Sequence, residues 1–348
     1  MKIDKEFIDY FDGNLKQVFL YITDLCNLSC DYCLYKTTIA DRSIEYSTAC
    51  KMLKIFKEYG AKKLTLIGGE PTLYDVENDN KKLMSLIKYS AEIGYEYIRL
   101  DTNGQLDSNF LLTSSLKDVS DFAFSLDSHI ENVNDKYRGN GSYKRCVSRI
   151  KQAIQIGYPT SVTCCVNKSN SSHLSEFVYF LADIGVPVVN FHPLLEMGIE
   201  RDKFTGFSHI DPQTWINIYS EMRREVENES LPIKVRIPNR YVSRPEYDKE
   251  PKAYNYCPVR IGERVLVHPD GNIRICALCI GTKMSIATYD ENYINFQEGN
   301  LSEIFPSRLK KKPCMSQQKN FNGTVPLCIS YKPHQDEYVW NNESYDSM

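Results

Sequence analysis

The chain has 348 residues, 42% of them hydrophobic and 25% charged, with a formal net charge of −3. That length suits one α/β barrel with an extension, and the composition is that of a globular chain with a sizeable core, which excludes disordered and fibrous classes. The weakly acidic balance gives no global positive field for nucleic acid or membrane. No run of about 18 apolar residues marks a span, and the opening MKIDKEFIDYFDG has no apolar signal stretch. The expectation is a cytoplasmic protein without nucleic-acid or membrane partners.

In chain order, Val18–Ile22 is a short β-rich run. Ser47 is placed to cap a helix that carries Ala49, Met52, Leu53 and Phe56 on one face and stops at Gly60. Strands are expected at Lys63–Ile67, Tyr97–Leu100, Phe122–Leu126, Ser161–Val166 and Val186–Phe191. Helices are expected at Asn80–Ile93, Tyr143–Ile156 and Leu174–Ile184, each followed by a glycine. Six alternations of strand and helix predict a parallel sheet curved into a partial (β/α)6 TIM-like barrel, with strand C-termini on one rim. We expect the barrel to cover 15–200, a bridging segment 201–255, with a helix near Pro212–Val226, and a small C-terminal domain 256–348. In that domain Arg264–Val267 and Asn272–Cys276 flank the turn Pro269-Asp270-Gly271, a hairpin signal.

Twelve cysteines are many for such a chain, and clustering points to metal or cluster ligation rather than disulfides. Cys50, Cys146, Cys164 and Cys165 sit in periodic segments and read as buried thiols. Cys26, Cys30 and Cys33 stand in C-x3-C-x2-C spacing just after the first strand. Thiolates so close need a loop wrapped around a metal centre. Three of them suit a [4Fe–4S] cluster with one iron open to a small chelator; a zinc site completed by a distant residue is the plain alternative.

These cysteines, with Tyr32 before the third, resemble the signature of the radical S-adenosylmethionine (SAM) superfamily. The resemblance implies that SAM chelates the open iron, is reductively cleaved there, and yields a 5′-deoxyadenosyl radical that abstracts a substrate hydrogen. Further segments follow in the family's order. Gly68-Gly69-Glu70-Pro71 resembles the GGE motif that binds the SAM amino group, and Thr102-Asn103-Gly104 resembles the TNG turn. Ser125-Leu126-Asp127 resembles the segment that reaches the SAM ribose or carboxylate. Asn134-Asp135-Lys136-Tyr137-Arg138-Gly139 resembles a segment whose Arg138 would pair the SAM carboxylate. Asn167 falls near the expected ribose site, and the Asn190–Leu194 stretch, ending in Leu194, resembles the backbone that packs the adenine. Read without the family, these are a turn, a cap, a surface arginine and loop amides. His192 is more simply a core or rim histidine than a catalytic one.

The spacing C-x13-G-x4-C from Cys257 through Gly271 to Cys276 resembles the start of twitch and SPASM domains, which carry auxiliary [4Fe–4S] clusters. Cys279, Cys314 and Cys328 complete the candidates. The dense second cysteine block of a full SPASM domain is missing, so one auxiliary cluster is expected. Cys257 and Cys276 are its first ligands, and a zinc site or plain thiols are the alternative. The resemblance implies flavodoxin or ferredoxin as reductant, and a ribosomally made peptide or a sugar-like small molecule as substrate, oxidised or epimerised. Only about 17 residues precede the first strand, too few for a separate leader-binding domain, which weighs against the peptide. A non-catalytic iron–sulfur relay or sensor is the reading from another class.

Overall fold

The structure is a computed structural model describing residues 1–11, 13–33, 41–194, 210–251, 253–254, 262–279, 285–297 and 323–327. Strand β1 (Lys2–Ile3) and helix α1 (Lys5–Phe11) open the chain. Then come β2 (Gln17–Thr23), α2 (Tyr46–Glu58), β3 (Lys63–Gly68), α3 (Lys81–Glu92), β4 (Tyr97–Thr102) and β5 (Asp121–Ser125). Helices α4 (Glu131–Arg138) and α5 (Ser142–Ile156) precede β6 (Thr160–Val166), followed by α6 (Leu174–Asp183), β7 (Val188–Pro193), α7 (Pro212–Glu227) and β8 (Lys234–Arg236). Strands β2 to β8 pair in chain order and all in parallel, as β–α–β crossovers require.

Each strand alternates its faces. Leu64 and Leu66 on β3, Ile98 and Leu100 on β4, and Phe122 and Phe124 on β5 are fully buried in the core. They pack with Met52, Leu53 and Phe56 of α2, Leu83 and Leu86 of α3, and Ile150 of α5, at about 1.5–3 kcal/mol per large side chain buried. Many of the alternate positions are polar, and several bond across the opposite face. Gln17 Nε2 donates to Thr65 Oγ1 at 3.3 Å. Arg99 bonds Asp101 at 2.6 Å, Asp121 at 3.0 Å and Thr163 at 3.1 Å. This face keeps the polar residues a ligand-binding lumen needs, while the helix side supplies the stability.

Strands β9 (Tyr241–Ser243), β10 (Arg264–Val267), β11 (Asn272–Arg274), β12 (Ala287–Tyr289), β13 (Tyr293–Phe296) and β14 (Thr324–Pro326) complete the sheets, with α8 (Arg244–Lys249) after β9. Among the described residues the main sheet has twelve strands in the order β1-β13-β12-β11-β10-β2-β3-β4-β5-β6-β7-β8; β9 and β14 form a separate pair. The hairpin expected around Gly271 is present, with that glycine at φ +79° where a side chain would be strained.

Two details differ from the sequence reading. Helix α2 begins at Tyr46 behind Glu45, so Ser47 lies inside it and caps nothing. The bridging segment is not merely a connector: β8 extends the parallel sheet beyond β7, and β10 joins its other edge by pairing with β2. Both have apolar residues that continue the barrel's core, Val235 on one side and Val265 and Val267 on the other. The expected division points at 200 and 255 are therefore not edges of the sheet.

Candidate active site

The chain leaves β2 at Thr23 and enters the cysteine loop at the C-terminal end of the parallel strands. This loop is held from behind by β3. Gly69 N donates to Thr23 O at 2.8 Å, and Glu70 N donates to Leu25 O at 2.6 Å. The approach is so close that a Cβ on Gly69 would lie 2.1 Å from Leu25 O and 2.6 Å from Asp24 O. A Cβ on Gly68, at φ +150°, would meet Thr23 O at 2.4 Å. The two glycines thus serve the contact between β3 and the residues just before Cys26.

Glu70 is wholly buried. Its carboxylate accepts from Thr72 N at 3.1 Å, Thr72 Oγ1 at 2.8 Å, Thr102 Oγ1 at 2.9 Å and Asn103 N at 2.7 Å. Burial raises its pKa, and these bonds oppose the rise. The side chain thereby pins the turn after β4. From that turn Asn103 Nδ2 donates to Asn27 Oδ1 at 2.8 Å and reaches Cys26 Sγ at 3.6 Å.

On the other side of the loop lies a polar hub. Asp127, after β5, receives Arg138 in two-point fashion, Nε at 2.7 Å and Nη2 at 2.9 Å. It also accepts from Cys165 N at 2.9 Å and from the Tyr32 hydroxyl. Both charged groups are almost fully enclosed, the condition under which a pair needs every remaining bond satisfied. The Arg138 guanidinium carbon stands 5.5 Å from the Tyr32 ring centroid, and Asp31 N donates to Tyr137 O at 3.0 Å. The turn between Cys30 and Cys33 is therefore docked on the C-terminal end of α4.

The rest of that segment has structural work. Asn134 Oδ1 accepts from Asp127 N at 3.0 Å. Asp135 accepts from Gly141 N at 2.6 Å, Ser142 Oγ at 2.9 Å and Tyr143 N at 2.8 Å, filling donors at the start of α5. Burial pushes the Asp135 carboxyl up, but these bonds together outweigh it and hold it below its usual range.

Cys26, Cys30 and Cys33 are not joined in disulfides, and each is partly exposed. Burial raises Cys26, helped by the charges of Glu70 and Cys33. Burial also pushes Cys30 up to about 11, against the opposing pull of the Arg138 guanidinium. These mutual charge effects put the three thiols in one neighbourhood. Among the described residues, no three His, Cys, Asp or Glu side chains converge as ligands of a single ion. Ligation of a four-iron cluster does not call for that, because each thiolate binds a different iron. Three soft thiols, which bind iron as thiolates, on a loop backed by glycines and flanked by an arginine fit such a cluster.

The remaining sequence-predicted residues fall around the same rim. Ser125 closes β5, its carbonyl accepting from the Cys146 thiol at 3.5 Å. Asn167 is fully buried, and its Oδ1 accepts from Ser169 N at 2.8 Å, shaping the turn after β6. Leu194 N donates to Val166 O at 2.8 Å. His192 is neutral at ordinary pH, pushed to about 3 by burial and by the charges of Arg99 and Arg240. Sequence reasoning missed Cys165. Its neighbour Cys164 joins the apolar core as expected, but Cys165 is on the other face of β6 beside Asp127 and Tyr32. The period-two alternation of β6 carried that signal.

Of the C-terminal cysteines, Cys257, Cys314 and Cys328 lie outside the described residues. Cys276 and Cys279 are neighbours, with Cys279 N donating to Cys276 O at 3.0 Å. A thiol hydrogen bond from Cys276 holds Cys279 below the usual thiol value. Their location differs from the rim. Val267 faces Ile273 and Leu266 faces Arg274, so the chain after β11 runs back toward the level where Arg264 pairs with Gln17. The Gln17 end of β2 is the end opposite to the one that leads into the Cys26 loop.

Fold and site define a class: a partial (β/α)6 barrel whose first parallel strand feeds a three-thiol loop. Residues 20–181 match the family model of the Radical SAM superfamily. It is 27% identical over 185 residues to "Molybdenum cofactor biosynthesis protein 1" of Drosophila melanogaster, covering 52% of this chain and 32% of that protein. It is 25% identical over 199 residues to "Probable GTP 3′,8-cyclase" of Saccharolobus islandicus, covering 57% and 63%. The chain thus spans less than two thirds of the length of these relatives. In fold it is similar to Streptococcus suis SuiB bound to the precursor peptide SuiA, with TM-score 0.64, 15% identity, and 80% of this chain and 64% of that one covered. It is also similar to anSMEcpe with bound AdoMet, with TM-score 0.63, 17% identity and 95% of each chain covered. No helix among the described residues is long and apolar enough to cross a membrane.

Proposed function

We propose that this chain reductively cleaves SAM at a [4Fe–4S] cluster held by Cys26, Cys30 and Cys33, and abstracts hydrogen from a substrate on the polar face of the sheet. The observation that carries this reading is the three-thiol loop, fastened on one side by Gly69 and Glu70 and on the other by Tyr32, Asp127 and Arg138. When bound, cluster and SAM supply one electron and a carbon-centred hydrogen abstractor; the protein positions and shields them. Asn103 steadies Cys26 by its amide. Arg138 keeps guanidinium hydrogens beyond those given to Asp127 and can meet the SAM carboxylate. Ser125 and the backbone before Leu194 border the nucleoside, while Gly68, Gly69, Glu70, Asp127 and Asn167 support the site from behind.

Cys257 and Cys276 are the first ligands of one auxiliary cluster, completed from Cys279, Cys314 and Cys328, in a twitch-like segment of 256–348. It would stand at the far end of the strands and accept an electron from a substrate radical there. A peptide is the favoured substrate: chains of this fold crystallised with peptides match along most of this chain. A sugar-bearing small molecule is the second reading, favoured by relatives named as GTP cyclases whose likeness is in the barrel. Oxidation and epimerisation are the reaction types considered, and flavodoxin or ferredoxin would supply the electron.

The test is anaerobic reconstitution with iron and sulfide, then dithionite and SAM, with 5′-deoxyadenosine followed by chromatography. The reading expects its formation by the unaltered chain and its loss on replacing Cys26, Cys30 and Cys33 by alanine. Iron content should fall by one cluster on replacing Cys276. Redox change without 5′-deoxyadenosine would favour an electron relay instead.

A further inference from the structure

We propose that the Tyr32–Asp127–Arg138 hub is a positioning device that sets the reduction potential of the cluster bound by the cysteine loop. The inference rests on the cluster assignment proposed above and concerns what this chain's own residues do to it.

The geometry is the argument. Tyr32 lies inside the turn between Cys30 and Cys33, and its hydroxyl bonds Asp127. Asp127 in turn holds Arg138 at 2.7 and 2.9 Å, which fixes the guanidinium 5.5 Å from the Tyr32 ring. Asp31, in the same turn, is tied by its backbone to Tyr137 at 3.0 Å. One cation and one anion are thus locked beside the turn in a nearly closed environment, where a charge acts more strongly than in water. An aromatic ring alone would fill the turn; the hydroxyl adds a connection that phenylalanine cannot make.

Adding an electron makes the cluster more negative. Arg138 favours that state and Asp127 disfavours it, while the Tyr32 hydroxyl draws charge from Asp127 and blunts its effect. The signs follow. Asp127→Asn should raise the midpoint potential. Tyr32→Phe, which keeps the ring, should lower it slightly. Arg138→Gln should lower it most, by about tenfold in the reduction equilibrium, or about 59 mV for a one-electron couple.

The experiment is an EPR-monitored redox titration of the reconstituted full chain, following the signal that changes when SAM is added. Opposite shifts for Asp127→Asn and Arg138→Gln support the proposal, because general loosening of the loop would move both variants the same way. If Arg138→Gln fails to load a cluster, a rise for Asp127→Asn against a fall for Tyr32→Phe decides; if Asp127→Asn fails, Arg138→Lys, which keeps the charge, must stay nearer the parental potential than Arg138→Gln. A SAM-responsive signal whose potential does not move, or moves in one direction in all variants, overturns the proposal. The lack of any SAM-responsive signal in the unaltered chain overturns the cluster assignment itself.

Discussion

Replacing Gly69 by alanine tests how the cysteine loop is held. The added methyl would stand 2.1 Å from Leu25 O and 2.6 Å from Asp24 O, both backbone atoms, where real Cβ contacts essentially never fall under 3.0 Å. Leu25 O must retreat by roughly 1 Å, one residue before Cys26. Overpacking of this kind costs about 1–3 kcal/mol. The retreat also stretches the bonds at 2.8 and 2.6 Å between Gly69 and Thr23 and between Glu70 and Leu25, each worth about 1 kcal/mol. The expected destabilisation is about 2–4 kcal/mol, read as a lower urea midpoint at unchanged m-value, with less iron taken up on reconstitution. A Gly69→Ala chain with the parental midpoint and full iron loading would refute this account of the loop.

Three other outcomes follow from polar side chains around the site. Glu70→Gln puts an amide against a site whose protein partners all donate, so about 2–4 kcal/mol should be lost in urea unfolding; an unchanged midpoint would show the carboxylate is not an anchor. Asp135→Ala removes the side chain that fills the first turn of α5 and should cost about 1–2 kcal/mol. Since the folded carboxyl is held low, its contribution is present above the unfolded carboxylate value and fades as pH falls through the folded one, so the difference between Asp135→Ala and parent should shrink in acid. His192 has a folded value near 3 against 6.5 for a free histidine, so the unfolded chain binds the extra proton between those values. Stability should be full above pH 6.5 and fall below it, by at most about 1.4 kcal/mol per pH unit from this group. His192→Gln should flatten that part of the pH profile, and an unchanged slope would contradict the assignment.

The sequence made the barrel legible because its information is local. Leu64, Leu66, Ile98 and Leu100 alternate as strands do, and glycines such as Gly157 end helices where the chain must turn with positive φ. The cysteine loop was legible for the same reason: three ligands within eight residues need no knowledge of tertiary contacts. What the sequence concealed was pairing across distance. Asp127 and Arg138 each suggested a hydrogen-bond partner outside the protein, yet they meet each other, and only the fold reveals that. The GGE resemblance says nothing of the backbone that Gly69 meets, which belongs to Asp24 and Leu25. The short strand Lys234–Arg236 has too few residues to declare a period, so β8 read as a bridge. The place of Cys276 depends on hairpin register and on β10 pairing with β2, which spacing alone does not encode.

The central claim is that three thiolates hold a cluster with one iron left to SAM. EPR of the dithionite-reduced, anaerobically reconstituted chain, recorded before and after adding SAM, addresses it most directly. The account predicts a reduced-cluster signal that changes shape on SAM addition and vanishes when Cys26, Cys30 and Cys33 become alanine. A signal indifferent to saturating SAM, or one that persists without those three sulfurs, would contradict it.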